Sequence, residues 1–328
     1  QSCKGWETEQ GSDFFAITYR FAADAHAFDL IYAEIPPNDV ARVCAETARA
    51  RNIPFVADVN DLWPEAMRMV VNVPIVSDVA FYPFARDARR VYELASAVVG
   101  TSDEYAARPE RDREKPCPHI TVYVGNDLAA FDAGVAAHAP SIDKPEGEFW
   151  VTYAGTLGAS YDLETLVRAA KIASGQVCGL RVKILGDGPD RERLERAAAD
   201  AGAPVDFLGY TPYDRMAALL TKSDLTVNSL VHGAAQSIVT KIGDYLAAGI
   251  PLVNTGESPE FCAKVEAGGF GVNVAPGDAA ALADEIVRLA GHPSSRKIMG
   301  AKARDVAERE FDQAHSYKAI VELIRNLL

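Results

Sequence analysis

The residues best placed for chemistry lie in one stretch, His232-Gly-Ala-Ala-Gln236-Ser237-Ile238-Val239-Thr240-Lys241-Ile-Gly243-Asp244-Tyr245. Hydroxyl residues cap helix N-termini, so the stretch predicts a helix beginning near Ser237 to Thr240. A helix start offers unpaired N–H groups, here from Ser237, Ile238, Val239 and Thr240, and the positive end of the helix dipole, which together suit a diphosphate. Asp244 lies one turn beyond Thr240, so both can face one ligand, and its carboxylate can accept two hydroxyls of a ribose. The competing reading has Thr240 as a simple cap and Asp244 as a solvated helix residue. Two further loops carry small residues: Ala154-Gly155-Thr156-Leu157-Gly158 and Gly186-Asp-Gly188-Pro189. Their glycines let a ligand approach the backbone, although either loop taken alone reads as a plain turn.

These loops need strands to hold them, and the chain supplies short β-rich runs alternating with helical stretches, the pattern of a parallel α/β fold. In the first part, strands are expected at 29–34, 54–58, 97–101 and 120–124, with a helix over 38–51. The Pro-rich, polar stretch 138–147 reads as a linker. After it, strands are expected at 150–154, 180–185, 205–208, 225–228 and 251–254, and helices at 163–173, from Pro189, up to the C-cap Gly249, and near 278–290, 294–310 and 313–328. The expected domains are therefore 1–142 and 143–312, followed by a last helix over 313–328. In open α/β sheets ligands sit beyond the carboxyl ends of the strands, where the three loops fall.

Composition narrows the function. The 328 residues suffice for two domains, and a net charge of −13 argues against a nucleic-acid partner. Five dispersed cysteines without a Cys-x-x-Cys pair argue against a disulfide framework or a structural zinc. The longest apolar run, 245–253, is too short to cross a bilayer, and no signal peptide is visible, so a cytoplasmic protein is expected.

The second half resembles the retaining glycosyltransferases of family 4, which have the GT-B fold. Five segments carry the resemblance in order: Tyr153-Ala-Gly-Thr-Leu-Gly158 with Asp162-Leu-Glu-Thr-Leu166; Lys183-Ile-Leu-Gly-Asp-Gly-Pro189; Val205-Asp-Phe-Leu-Gly-Tyr210; Val239-Thr-Lys-Ile-Gly-Asp-Tyr-Leu-Ala-Ala-Gly-Ile-Pro251; and Gly268-Gly-Phe-Gly-Val-Asn-Val-Ala-Pro-Gly277. In the first half, Phe28-Asp-Leu-Ile-Tyr32 and Asp58-Val-Asn-Asp61-Leu-Trp-Pro-Glu65 resemble members that build bacterial surface polysaccharides.

The resemblance implies an α/β GT-B protein, two Rossmann-like domains facing across a cleft, with helix 313–328 returning to the first domain unless it is a plain terminal helix on its own; Tyr317, Ile320, Val321 and Ile324 on one helical face suit the return. It implies transfer of a sugar, with retention, from a nucleoside diphosphate sugar to a saccharide or lipid-linked acceptor, with no further cofactor and no metal. Uridine diphosphate sugars are favoured, with peripheral contact at the inner membrane face. Gly209 and Tyr210 fall near the nucleotide base. The family's Glu-x7-Glu motif lands on Gln236, at the sugar, and Asp244, at the ribose, so both positions depart from it. The basic residues the family places after the first strand of this domain are missing beside Thr156, and Lys241 can compensate unless it is a solvated surface lysine. Glu34, Asp61 and Trp63 are the acceptor-side candidates; Asp61 can equally cap a helix starting at Pro64, and Trp63 can equally be a packing residue. Nothing in 1–27 looks like the family's opening strand, glycine-rich loop and helix, so the first domain reads as incomplete. A non-catalytic nucleotide-sugar-binding protein and a sugar-nucleotide epimerase of the same fold are the alternatives. A dehydrogenase is disfavoured by the lack of Gly-x-Gly-x-x-Gly after a strand.

Overall fold

The computed structural model describes residues 28–70, 73, 75–234 and 238–328. They fall into two compact units, one of the described residues up to Thr121 together with Ile320–Leu328, the other of Val122–Ala319.

The first unit holds four parallel strands in sequential order: β1 (Ile31–Ile35), β2 (Phe55–Val59), β3 (Ala97–Gly100) and β4 (His119–Thr121). Helix α1 (Asn38–Arg51) joins the first two and stops at Asn52, whose left-handed φ of 55° turns its N–H back to the carbonyls of Ala48 and Arg49. Helices α2 (Glu65–Val70) and α3 (Val76–Leu94) lie between β2 and β3, and α4 (Asp103–Ala107) follows β3. Ser102 caps α4 by accepting from the Tyr105 N–H at 3.1 Å. Ile35, Ala45, Phe55, Val59, Val91, Tyr92 and Val98 make the core of this unit.

The second unit opens with α5 (Leu128–His138), capped by Asp127, whose side chain accepts from the Ala130 N–H. The stretch 138–147 runs inside this unit. It starts with a 3-10 turn (Ala139–Ser141), and Lys144 donates to the Asp224 carboxylate. Six parallel strands follow: β5 (Phe149–Ala154), β6 (Leu180–Leu185), β7 (Val205–Gly209), β8 (Leu225–Asn228), β9 (Leu252–Asn254) and β10 (Gly271–Asn273). Between and after them lie α6 (Leu163–Ala173), α7 (Arg191–Ala201), α8 (Tyr213–Lys222), α9 (Lys241–Ala247), α10 (Pro259–Gly268), α11 (Ala279–Ala290), α12 (Pro293–Val306) and α13 (Gln313–Leu327).

The sheet order is β10-β9-β8-β5-β6-β7, the doubly wound order of a dinucleotide-binding fold. Every residue of β5 is buried, as a central strand covered on both faces must be. Alternation along β5 and β6 sends Val151, Tyr153, Val182 and Ile184 into one core with Leu166 and Ile286. Ala154 and Leu185 enter the other, with Phe131, Tyr245, Leu246 and Phe311. Strand order reverses between β5 and β8, so the helices after these strands diverge to opposite faces and leave a crevice at their carboxyl ends.

Candidate functional site

That crevice holds a cavity of about 390 Å³, lined by Gly125, Asn126, Asp127, Ala154, Gly155, Tyr213, Met216, Thr240, Lys241, Asp244, Tyr245 and Gln313. Its floor is built where β5 ends. The Tyr245 hydroxyl accepts from the Ala154 N–H at 2.8 Å and donates to the Ala154 carbonyl at 3.1 Å, fixing α9 against the strand end. Gly155 follows, its N–H bonded to the Leu185 carbonyl, while the Gly186 N–H reaches the Gly209 carbonyl. Three of the glycines singled out in the sequence thus stand side by side at the ends of β5, β6 and β7. A Cβ on Gly186 would lie 1.9 Å from the Gly155 carbonyl oxygen, so this loop contact admits no side chain.

Two charged groups of α9 define the cavity. The Lys241 ammonium is buried against aromatic rings, 4.2 Å from the Tyr153 ring centre and 3.6 Å from that of Tyr161, and donates to the Tyr153 hydroxyl at 2.8 Å. Among the described residues it has no carboxylate partner. Burial of the charged form pushes its pKa down to about 7. The same burial raises the Tyr153 phenol well above its ordinary value. Gly155 makes room for this lysine, since a Cβ there would come within 2.7 Å of Nζ.

One turn on, Asp244 accepts from Asn126 Nδ2 at 3.0 Å and from the Tyr213 hydroxyl at 2.9 Å. Burial raises its pKa, and the two hydrogen bonds work against that rise. The solvated readings of Lys241 and Asp244 are therefore corrected: both are largely withdrawn from bulk water. Thr240 is corrected as well. It occupies the N-cap position, but its backbone is helical and its side chain makes no capping bond; it is exposed and lines the cavity. The helix proper starts at Lys241 and spans seven residues, later and shorter than the stretch from Ser237 implies.

The other sequence candidates divide. Ile238 is half-buried and Val239 buried, both against the core below α9. Leu157 is a core residue whose N–H donates to the Asp187 carbonyl and whose own carbonyl accepts from the Asp190 N–H, so it holds the loop in shape and offers a ligand no free N–H. Thr156 is exposed, and its carbonyl accepts from the Tyr153 hydroxyl. Gly188 packs on the Leu157 carbonyl. Tyr210 is 81% exposed and borders a separate depression with Trp150, Lys183 and Arg215. Gln236 and Ser237 lie outside the described residues, as do residues 1–27.

In the first unit, Glu34 is exposed at the end of β1, opposite Asp58 in register. Asp58, missed in the sequence, accepts from the Tyr32 hydroxyl at 2.8 Å, and burial raises its pKa, with Glu34 adding to the rise. Asp61 accepts from the Leu62 N–H at 2.8 Å, upstream of a helix that begins at Glu65 rather than Pro64, so it does not cap that helix. The Trp63 ring meets Phe84 edge-on at 6.2 Å.

Gly125, Asn126, Asp127, Tyr213 and Gln313 complete the cavity without having been singled out in the sequence. A faint signal was present in Val124-Gly125-Asn126-Asp127, a polar turn directly after a strand pattern.

Residues 148–292 match the family profile described as Glycosyl transferases group 1. Over 200 residues the chain is 28% identical to WcaI of Escherichia coli (strain K12), whose name places it among the glycosyl transferases of colanic acid biosynthesis; the match covers 59% of this chain and 47% of that protein. Over 172 residues it is 26% identical to the amylovoran biosynthesis glycosyltransferase AmsK of Erwinia amylovora, covering 50% of this chain and 42% of that one. The chain thus aligns with less than half the length of these curated relatives. Among solved structures, Anabaena HepE in complex with UDP superposes with a TM-score of 0.76 at 18% identity, over 97% of this chain and 84% of that one. Sucrose-phosphate synthase from Thermosynechococcus elongatus gives 0.70 at 18% identity, over 96% and 78%. The chain has the GT-B fold, two Rossmann-like units each built on a parallel sheet, and residues 148–292 of its second unit are similar to the glycosyl transferases group 1.

Proposed function

We propose that this protein transfers a sugar from a nucleoside diphosphate sugar to a saccharide or lipid-linked acceptor, with retention of configuration, in the synthesis of a surface polysaccharide or related glycoconjugate. The observation that carries the reading is the pairing, at the point where strand order reverses, of a half-buried cation that has no carboxylate partner among the described residues and a half-buried, oriented carboxylate on one helix. Lys241 and the amides of Ser237 to Thr240, just before α9, are proposed for the diphosphate, and Asp244 for the ribose. As the bond to the leaving diphosphate breaks, charge builds on its oxygens. A protonated Lys241 meets that charge in a low-dielectric wall, where it is worth more than in water. The positive charge comes from the protein, so the reaction is proposed to need no divalent cation.

Uridine is the favoured base, because HepE was solved with UDP and with UDP-glucose, and WcaI and AmsK are named for polysaccharide synthesis. Gln236 is proposed at the transferred sugar, and Glu34 and Asp61 on the acceptor side. No helix among the described residues is long and apolar enough to cross a membrane. A cytoplasmic enzyme, working on a lipid-linked acceptor at the inner membrane face, is the setting this reading favours.

A panel of uridine, guanosine and adenosine diphosphate sugars tests it, with release of the nucleoside diphosphate as the readout and Asp244→Ala as the comparison. Release from one member, reduced roughly 10- to 100-fold in the variant, supports the reading. Binding without release favours a nucleotide-sugar-binding protein instead. Failure of all three to bind, or equal behaviour of the variant, overturns the assignment.

A further inference from the structure

Both hydrogen bonds to Asp244 land on the same oxygen. Asn126 Nδ2 and the Tyr213 hydroxyl each donate to Oδ1, and among the described residues no hydrogen bond falls on Oδ2. The two donors come from separate elements, and each is held in place. Asn126 is pinned through its backbone: its N–H bonds the Phe311 carbonyl, and its own carbonyl accepts from the Gln313 N–H. The Tyr213 ring stands edge-on to Phe131, with centroids 6.4 Å apart. A carboxylate with one oxygen tied at two points cannot turn about its terminal bond without breaking both bonds. A freely turning carboxylate can offer both oxygens to a vicinal diol; this one offers one.

We propose that Asn126 and Tyr213 are positioning residues that hold Asp244 so that Oδ2 alone meets the pentose of the donor, which makes the site read one of the two ribose hydroxyls far more strongly than the other. The proposal rests on the nucleotide-sugar reading above and adds to it which atoms discriminate. The read hydroxyl donates to Oδ2 in a charge-assisted bond, while the other is left to water or to the exposed side of the Tyr213 oxygen. The groups facing the carboxylate are Lys241 and Tyr245 on its own helix, Tyr213 on α8, and Asn126 with Asp127 before α5. Of these, Tyr213 and Asn126 donate to the ionised form and hold it against the upward push of burial.

The experiment compares binding of the best-bound nucleoside diphosphate among UDP, GDP and ADP with that of its 2′-deoxy and 3′-deoxy analogues, by calorimetry, in the wild type and in Tyr213→Phe. In the wild type one analogue is expected to bind roughly 10- to 150-fold more weakly than the parent, and the other within about threefold of it. Tyr213→Phe removes only a hydroxyl from a side chain that is 40% exposed, so the fold is retained. In that variant Asn126 alone holds Oδ1, so the carboxylate turns at the cost of one hydrogen bond rather than two, and the two analogues are expected to converge to within about threefold of each other. The pH at which binding fails on acidification is also expected to rise, because one donor to the ionised form is gone. The protonation of the ligand's own terminal phosphate is common to both proteins and cancels in the comparison. Equal penalties for the two analogues in the wild type overturn the proposal, as does a Tyr213→Phe protein with the wild-type ratio and the wild-type acid limb. Failure of all three parent nucleotides to bind overturns this proposal together with the function it rests on; binding of one of them with either of the other results overturns this proposal alone.

Discussion

Lys241 should make donor binding take up a proton. In the empty cavity its pKa stands at about 7, depressed by burial between two tyrosines. At pH 8 about nine-tenths of the molecules then carry a neutral amine, whereas at pH 6 about nine-tenths carry the ammonium. A diphosphate favours the ammonium, so binding at pH 8 draws about 0.9 proton from the buffer and at pH 6 about 0.1. The apparent affinity should correspondingly fall roughly tenfold between pH 6 and pH 8, since only the charged fraction is competent. A nucleoside diphosphate sugar such as UDP-glucose is the right probe, because its esterified phosphates do not titrate in this range. The assay is calorimetry at each pH in two buffers of different ionisation enthalpy, on the wild type and on Lys241→Met, which leaves an uncharged side chain between the rings. The stability of the unliganded protein gives a second readout. The folded value lies below the unfolded 10.5, so the unfolded chain binds more protons between the two values, and stability rises with pH from about 7 to about 10.5. The full span corresponds to about 5 kcal/mol, and Lys241→Met should flatten that slope. Absence of proton uptake at pH 8, or the same uptake by the variant, would refute the reasoning.

Gly155→Ala should cripple nucleotide binding, because its Cβ would displace the Lys241 ammonium, which stands 2.7 Å away; the accompanying backbone strain should cost about 1–3 kcal/mol in a urea melt. Gly125→Ala should destabilise the second unit by about 1–3 kcal/mol without touching a charged group, since its Cβ would meet the Phe311 carbonyl oxygen at 1.7 Å and neither backbone can yield; denaturant unfolding monitors this. Exhaustive chelation with EDTA should leave nucleotide release unchanged within about twofold, the proposed positive charge being Lys241 rather than a bound cation; a tenfold loss restored by magnesium would count against it.

The parts of the site built from local pattern could be read in the sequence. Strand β5 followed by Gly155, strand β6 followed by Gly186, and the small-residue loop before α9 are contiguous signals, and they placed Thr240, Lys241 and Asp244 on one helix. What those side chains touch could not be read. Asp244 meets Asn126 across 118 positions and Tyr213 across 31, and Lys241 meets Tyr153 across 88. No spacing rule spans such distances, so a buried lysine and a solvated one look alike in the sequence. The helices also differ in legibility. The stretch of α3 carries Pro83 inside it, a residue that normally ends a helix, and it gives no helix signal in the sequence. Helix α5 is rich in alanine, and its apolar residues are spread around it rather than gathered on one face. Its Gly134 makes sense only once α8 is in place, because a Cβ there would come within 2.7 Å of the Asp214 Cα. The β6, β7 and β9 strands, dense in Val, Leu and Ile, declared themselves directly.

The cavity wall around Asn126 is stitched to residues near the other end of the same unit. The Gln313 side chain reaches the Gly125 carbonyl across 188 positions, and a short parallel bridge joins Asn126 to Asp312. Closing so long a loop is entropically slow, so this clasp is expected to form late, after the sheet has assembled around β5. The Asp244 carboxylate therefore gains its second support only when the unit is complete. A half-made domain would display the loops proposed for the diphosphate while lacking the proposed grip on the pentose, and amide exchange at Asn126 and Gln313 should report, in one number, the fraction of molecules with this clasp closed.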